Sequence, residues 1–390
     1  MSWRAFRKGL QLVHLWAGLI LAIPFILIGL TGSIIIATNV VRDYSPPAAP
    51  AKGGMQPMTR ILAAAQQAAP EGWPVATISM PAKLGQSAAV QVALPPGRRP
   101  QQGVNFVGLT IYVDPVSLKV LGSEERRRAG VFNRTLTTMH VALMAPGYYG
   151  LQTVGFLGIA MVLFGLSGLT LWWPRRDQWR HAFGVRRGAR GFRLNHDLHS
   201  AVGFWSLIVF LIISISGVDL AFPVTFQSAV GEVLPLKTGL TNAVVNPGVA
   251  ASIRNKNELT PDEAARVALS SIPNSRLLQV QLPPRPDGVY MVTLAPRPFD
   301  DGAPQISTFI GPGPEILDVV DPRNYSTGKQ ILVWLRVMHY GQGLGEVWRI
   351  LAFFSGFLPL LFAITGLRMW QLKRGQRRAL PSGALAQPAE

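Results

Sequence analysis

Five histidines lie at or close to the ends of long apolar segments of this chain: His14, His140, His196, His199 and His339. Imidazole is a common ligand for transition metals, and ionisable side chains at membrane depth often mark a cofactor or an ion pathway. The chain has no cysteine, which excludes disulfides, thiolate metal sites and iron–sulfur clusters. Histidine is therefore the strongest metal ligand available, although a single histidine at a span end is equally typical of an interfacial anchor or a hydrogen-bonded core residue.

Some of these histidines recur in matching sequence contexts. His14-Leu-Trp-Ala-Gly18 and His199-Ser-Ala-Val-Gly203 are separated by 185 positions, and Gly32 and Gly217 are separated by the same 185. The constant offset predicts that the chain is a tandem, parallel duplication.

A second motif extends this duplication. Met-His precedes an apolar run that closes on Gly-Leu-x-x-Trp at Gly168 and again at Gly366, which are 198 positions apart. The histidines of the two copies, His140 and His339, are 199 positions apart. The glycine-rich break that follows the histidine therefore differs in length by one residue between the copies. Each copy therefore carries one histidine near the start of its first span and one before its second span.

Equivalent positions of a duplicated bundle lie at equal distances from its pseudo-two-fold axis. Two equivalent imidazoles then face one point, as bis-histidine ligation of a haem iron requires. We predict that His14 and His199 hold an inner haem and that His140 and His339 hold an outer haem.

His196 breaks this symmetry, because its counterpart in the first copy is Gln11. Three functions stay open for it: a hydrogen bond to an inner-haem propionate, substitution for His199 as iron ligand, or proton or electron entry. A polar residue at the solvated lip of the span is an equal alternative. Further polar residues near the outer layer are candidates. Asp219 could handle a proton or cation. Six residues could bind propionates or simply anchor the chain at the membrane edge: Arg134, Arg336, Arg349, Tyr148, Tyr149 and Tyr340.

The composition indicates a polytopic α-helical membrane protein. The chain has 390 residues, 15% of them charged, with a mean hydropathy of +0.26 and four long apolar segments. Its net charge of +17 is concentrated in short flanks of those segments, which favours membrane orientation over nucleic acid as the explanation. No dinucleotide-binding fingerprint, P-loop or His-Glu-x-x-His motif is present, so electrons must come from a separate donor.

We predict a four-helix transmembrane bundle with two small α+β domains. The predicted segments are transmembrane helices at 9–38, 151–173, 196–222 and 347–370, soluble domains at 39–150 and 223–346, a basic loop at 174–195 and a tail at 371–390 whose last residues are predicted to be disordered. In the soluble domains the pattern predicts helices at 59–69 and 260–271 and strands at 76–80, 88–94, 104–112, 118–122, 279–282, 289–294, 305–310 and 315–320. The turn between the second and third strands is predicted at Pro95-Pro96-Gly97.

The basic flanks predict the orientation in the membrane. Lysine and arginine cluster before the first span, in the 174–195 loop and after the fourth span. The positive-inside rule places these segments, and both chain termini, on the cytoplasmic side of the membrane. Both soluble domains are then predicted to face the periplasm or the cell exterior.

These features together resemble a known family. The repeat, the His-x-x-x-Gly and Met-His motifs and the segment Tyr112-Val-Asp-Pro-Val-Ser-Leu-Lys-Val-Leu-Gly122 are similar to those of the PepSY-associated transmembrane family. Within it, the chain is most similar to inner-membrane ferric-siderophore reductases of the FoxB type, which act on ferrioxamine. The resemblance implies four spans, two haem b groups and PepSY-like periplasmic domains.

The resemblance implies a haem-dependent oxidoreductase. Electrons from an unidentified cytoplasmic or quinol donor would cross the membrane, reduce a ferric siderophore in the periplasm and release Fe(II) for uptake. Two alternatives stay open: a non-enzymatic module that binds peptides or regulates a peptidase, and a haem subunit of a periplasmic dehydrogenase. The expected partners are the ferric siderophore, the donor and membrane lipid, with no nucleic acid.

Overall fold

The computed structural model describes residues 2–43, 46–50, 52–83, 85–95, 106–127, 131–145, 147–174, 179–237, 259–285, 288–297 and 303–379. The predicted turn residues 96–97 and most of the predicted tail, residues 380–390, lie outside these ranges. Four helical segments of the described chain are long and apolar enough to cross a membrane: Trp3–Thr38, Tyr149–Trp172, Gly191–Ala221 and Gly345–Gln376. The protein is a multi-pass membrane protein, as its hydropathy predicts.

Eleven α-helices are labelled in the described chain: α1 Trp3–Asp43, α2 Met58–Ala68, α3 Val131–Ala142, α4 Gly147–Trp172, α5 Trp179–Ala182, α6 Gly191–Ala221, α7 Pro223–Gly231, α8 Pro261–Ser271, α9 Thr327–His339, α10 Gly345–Ser355 and α11 Leu358–Ala379. Helices α1, α4 and α6 each form one span, whereas α10 and α11 together form the fourth. We call the end where α1 and α6 begin the basic end of the bundle. The end where they lead into the soluble segments is the sheet end.

The fourth span breaks where α1 crosses it. A Cβ on either Gly29 or Gly356 would collide with the carbonyl oxygen of the other residue, so only glycine allows this approach. The hydroxyl of Ser33 donates to the carbonyl oxygen of Phe353, 2.6 Å away, and satisfies backbone at the break. Small residues permit close helix packing in lipid, where the hydrophobic effect does not drive helices together.

The soluble segments form one antiparallel sheet of eight strands, in the order β4-β3-β2-β1-β5-β6-β7-β8. The strands are β1 Val75–Ser79, β2 Ala88–Ala93, β3 Phe106–Val113, β4 Val120–Arg127, β5 Ser275–Gln281, β6 Tyr290–Pro296, β7 Ile306–Ile310 and β8 Ile316–Val320. Strand β1 pairs with β5, with Ile78 opposite Val280. The two regions predicted as separate domains therefore share a continuous sheet.

Helices α2 and α8 cover a shared hydrophobic core of that sheet, with Ile61, Ile78 and Val267 fully buried. The Asp262 carboxylate on α8 accepts hydrogen bonds from the backbone N–H groups of Met58 and Thr59, at 2.7 and 2.8 Å. This carboxylate supplies the missing acceptor at the start of α2, which has no cap of its own. The second half of the sheet region thus stabilises a helix of the first.

Two amphipathic helices, α3 and α9, connect the sheet to the bundle. Helix α3 packs against α1, and α9 packs against α6. The sequence pattern predicts these residues as the ends of the soluble domains and indicates neither helix, because neither is apolar enough for a span. They carry His140 and His339 respectively.

Candidate functional site

The structure brings four of the five candidate histidines together as two pairs. His14 on α1 and His199 on α6 form the basic-end pair, with ring centroids 6.4 Å apart. His140 on α3 and His339 on α9 form the sheet-end pair, with ring centroids 6.2 Å apart. These are the pairings that the repeat predicts.

In the basic-end pair, each ring is held by a hydroxyl group of a neighbouring span. His14 Nδ1 lies 2.8 Å from Ser167 Oγ on α4, and His199 Nδ1 lies 2.8 Å from Thr365 Oγ1 on α11. Both hydroxyls donate their own proton to a carbonyl oxygen of the preceding helical turn. The hydroxyl oxygens therefore accept, and each imidazole donates through Nδ1–H.

In the sheet-end pair, the first ring bonds to the backbone as well as to a hydroxyl. His140 Nδ1 lies 2.9 Å from the carbonyl oxygen of Ile28 and 3.2 Å from Thr31 Oγ1. A carbonyl oxygen can only accept, so Nδ1 of His140 carries the proton. Gly32 leaves the room for this ring, because a Cβ there would stand 2.8 Å from His140 Cε1.

The second ring of the sheet-end pair is held by the equivalent groups on α6. His339 Nδ1 lies 2.8 Å from Ser216 Oγ and 3.2 Å from the carbonyl oxygen of Ile213. Ser216 and Ile213 follow Thr31 and Ile28 by the same 185 positions that relate the histidine motifs. The hydrogen-bond acceptors of the two rings are thus related by the same 185-residue repeat as the histidine motifs.

All four imidazoles consequently carry their proton on Nδ1 and present a lone pair on Nε2. Hydrogen bonding of one ring nitrogen to fix the other as a ligand is the usual arrangement around protein metals. Burial lowers the pKa of His140, and it lowers the pKa of His339 to about 4. Both rings are therefore neutral at pH 7, as coordination requires.

A pair of ligands suits a metal whose remaining positions are filled by its own macrocycle. Among the described residues, no group of three or more His, Asp or Glu side chains is placed to hold a bare metal ion. An iron bound on both sides by Nε2, with bonds of about 2 Å, separates two imidazole centroids by roughly 6 Å. Both observed pairs match this spacing, so the donor sets fit two haems.

The two pairs lie at different depths in the bundle. Seventeen residues separate His14 from Thr31 on α1, and seventeen separate His199 from Ser216 on α6. At ~1.5 Å per helical residue, the pairs are about 25 Å apart along the helices, close to the ~30 Å thickness of a hydrocarbon core. One pair therefore lies towards each end of the bundle.

His196 does not join either pair. Its side chain is 52% exposed at the basic end, where Nδ1 lies 3.4 Å from Asp197 Oδ1. His199, and not His196, faces His14, and His196 lies about one turn nearer the basic end. Of the functions left open for His196, substitution for His199 is thus the one that this arrangement does not favour.

Asp219 and Arg336 bind each other. Arg336 Nε on α9 lies 2.7 Å from Asp219 Oδ2 on α6, and Asp219 is fully buried. This ion pair anchors the helix that carries His339, and the functions predicted for the two residues, cation handling and propionate binding, stay predictions. No local pattern signals this pair, because 117 residues separate its partners.

The four spans, the continuous antiparallel sheet and the two helices between them define a polytopic membrane protein with one sheet-forming soluble region. The sequence matches the PepSY-associated TM region over residues 11–373, and the chain belongs to this family. A search of curated proteins found no match. The family resemblance seen in the sequence is confirmed.

Proposed function

We propose that this protein is a di-haem b oxidoreductase of the bacterial inner membrane that reduces ferric siderophores in the periplasm. The observation that carries the proposal is the geometry of the two histidine pairs. In each pair, both Nδ1–H groups are held by acceptors, and the ring centroids are 6.2 or 6.4 Å apart. A histidine that served only as an interfacial anchor would need neither the partner ring nor this spacing.

The chain's residues would hold and orient the cofactors. The basic-end pair would ligate one haem iron and the sheet-end pair the other, while the acceptors on Nδ1 raise the basicity of each ligand. A bound haem supplies reversible one-electron chemistry at each site. The protein supplies the placement of the two sites, one towards each side of the membrane.

The positive-inside rule gives this placement a direction. The basic end carries the arginine-rich loop and is proposed to face the cytoplasm, where an unidentified soluble or quinol donor supplies electrons. The sheet end is proposed to face the periplasm. The net reaction adds one electron to each Fe(III) chelate and yields Fe(II), which hard oxygen ligands bind less tightly because its charge is lower.

The test uses full-length protein purified from haem-replete cells and reduced with dithionite. We expect a Soret band with a low-spin b-type α region, and reoxidation when ferrioxamine B is added, with Fe(II) trapped by a chelating dye. The gallium(III) complex of the same siderophore has the same shape and charge but accepts no electron, so it should leave the protein reduced.

Three other outcomes would contradict the proposal. A colourless protein would favour a non-enzymatic peptide-binding module. Reoxidation by a quinone but not by the ferric chelate would favour electron flow in the opposite direction. A haem protein that reacts only in a stable complex with a periplasmic dehydrogenase would be a subunit of that enzyme.

A further inference from the structure

A polar pocket of about 380 Å³ opens at the basic end of the bundle, beside the basic-end pair. Its charged and hydroxyl lining comes from the start of α1, the segment before α6 and the first turns of α6: Arg7, Arg186, Arg193, His196, Asp197 and Ser200. Ser200 follows the histidine of the pair directly in sequence. The pocket thus reaches the helical turn of α6 that carries His199.

The walls of the pocket are organised by hydrogen bonds. The Arg7 guanidinium donates to the carbonyl oxygen of Leu171 at the end of α4, 2.6 Å away. Asp197, only 6% exposed, lies 3.2 Å from Arg193 Nε and accepts from the backbone N–H of Arg186 at 3.3 Å. The buried carboxylate therefore positions both an arginine side chain and the loop that closes the pocket.

The charges of the lining are not balanced within the pocket. Three arginines, Arg7, Arg186 and Arg193, and one acid, Asp197, line the pocket, so these four residues carry two net positive charges. Clustered positive charges lining a pocket attract an anionic ligand. A ligand with two negative charges would balance the lining.

The position of the pocket identifies that ligand. Arg7 precedes His14 by seven residues, about two helical turns, so both lie on one face of α1, and Arg193 lies six residues before His199 on α6. A haem carries two propionate carboxylates on one edge of the porphyrin. Guanidinium groups bind carboxylates through paired, charge-assisted hydrogen bonds.

We infer that this basic pocket binds the two propionates of the haem held by the basic-end pair. Arg7 and Arg193 bind the carboxylates, and Asp197 acts as a positioning residue for Arg193. The propionate edge of that haem then faces the basic end of the bundle. The inference rests on the proposed function, since it concerns the same haem.

The test compares haem with its dimethyl ester, in which both propionates are uncharged. Protein is made in haem-deficient cells in the His140→Ala/His339→Ala background, so that only the basic-end pair binds, and each compound is titrated by its Soret absorbance. With intact arginines we expect haem to bind at least about tenfold more tightly than the ester, the contribution of one charged hydrogen bond. In the Arg7→Gln/Arg193→Gln variant the preference should fall to within about twofold.

Two matched variants serve as controls. Arg187→Gln removes a neighbouring arginine that does not line the pocket and should keep the full preference. Arg7→Lys/Arg193→Lys keeps the positive charges and should keep part of the preference for haem over its ester. If the double glutamine variant does not fold, Arg193→Gln alone is titrated in the same way and should still lower the preference.

Equal binding of haem and ester with intact arginines would overturn the inference while leaving the proposed function intact. If the glutamine variants kept the full preference for haem over the ester, the inference would also be overturned, because the propionates would then bind elsewhere. Failure of the intact pair to bind either compound would instead refute the proposed function, and this inference with it.

Discussion

The basic-end and sheet-end pairs reach nearly the same ring spacing through different constructions. The basic-end histidines lie on spanning helices, and each donates to one hydroxyl group on a neighbouring span. The sheet-end histidines lie on separate helices, α3 and α9, and each donates to a hydroxyl and a backbone carbonyl of the span beneath it. The first site depends on side chains for orientation, whereas the second depends on how well two short helices are docked.

The two docking helices are themselves unequal. Helix α9 is held by the Arg336–Asp219 ion pair and by a 2.9 Å hydrogen bond from Trp348 Nε1 to the carbonyl oxygen of Met338. At the positions that correspond to Asp219 and Arg336 in the first copy, α1 has Ile34 and α3 has Thr137. The duplication thus preserved the histidine contacts while the ion pair occurs in one copy alone.

The largest effect is expected from breaking this ion pair. Arg336→Leu leaves the buried Asp219 carboxylate without its partner, and we expect the free energy of unfolding to fall by about 2 to 3 kcal/mol. The sheet-end haem should be lost first on heating, which the Soret absorbance of the purified protein measures.

The first copy supplies the matched control. Asp219→Ile/Arg336→Thr installs the residues of the first copy, so no charge is left buried and most of the stability should return. If the double variant were as unstable as Arg336→Leu, the cost would lie in the loss of the arginine and not in the unpaired carboxylate.

A smaller effect is expected from filling the space beside a sheet-end ring. Gly32→Ala would place a methyl group 2.8 Å from His140 Cε1, and overpacking of this kind costs about 2 kcal/mol. At the equivalent position in the second copy, Gly217→Ala places its Cβ 3.5 Å from His339, an ordinary contact. Gly32→Ala should therefore weaken haem binding at the sheet end in titrations, and Gly217→Ala should not. If instead Gly217→Ala weakened haem binding and Gly32→Ala did not, the helix backbone, and not the His140 ring, would move to make room for the methyl group.

The smallest effects are expected from removing one hydroxyl acceptor from each histidine pair. Thr365→Val removes the hydroxyl acceptor of His199 and should weaken haem binding at the basic end by about 1 kcal/mol, or roughly fivefold. Ser216→Ala leaves His339 with the carbonyl oxygen of Ile213, so binding at the sheet end should change by less. Equal losses at both ends, measured by haem titration of each variant, would show that the carbonyl does not replace the hydroxyl.

Much of this arrangement could be predicted from the sequence, because it depends on regular patterns. Sustained hydropathy indicates the spans, and the offset of 185 between His14 and His199 indicates which imidazoles face each other. The strands β1 and β5 were each predicted, yet their pairing into one sheet was not, since pairing between separate halves leaves no local signal. The same holds for the bond between Asp219 and Arg336, whose residue types suggest function as readily as structure.

The amphipathic helices show where such patterns mislead. Residues 131–142 and 327–339 follow predicted strands and precede predicted spans, so they read as the end of a soluble domain. These helices dock through contacts with α1 and α6, and the histidines themselves make some of those contacts. The Met-His motif was the available sequence signal near these helices. It indicated the candidate ligand but not the helix that carries it.

The central claim is that each histidine pair holds one haem. It is tested most directly by the haem content of purified protein, measured as the pyridine haemochrome per chain, for the wild type, His14→Ala/His199→Ala, His140→Ala/His339→Ala and the control His196→Ala. We predict two haems in the wild type and in His196→Ala, and one in each pair variant. A wild type without haem, or pair variants that still hold two, would contradict this account.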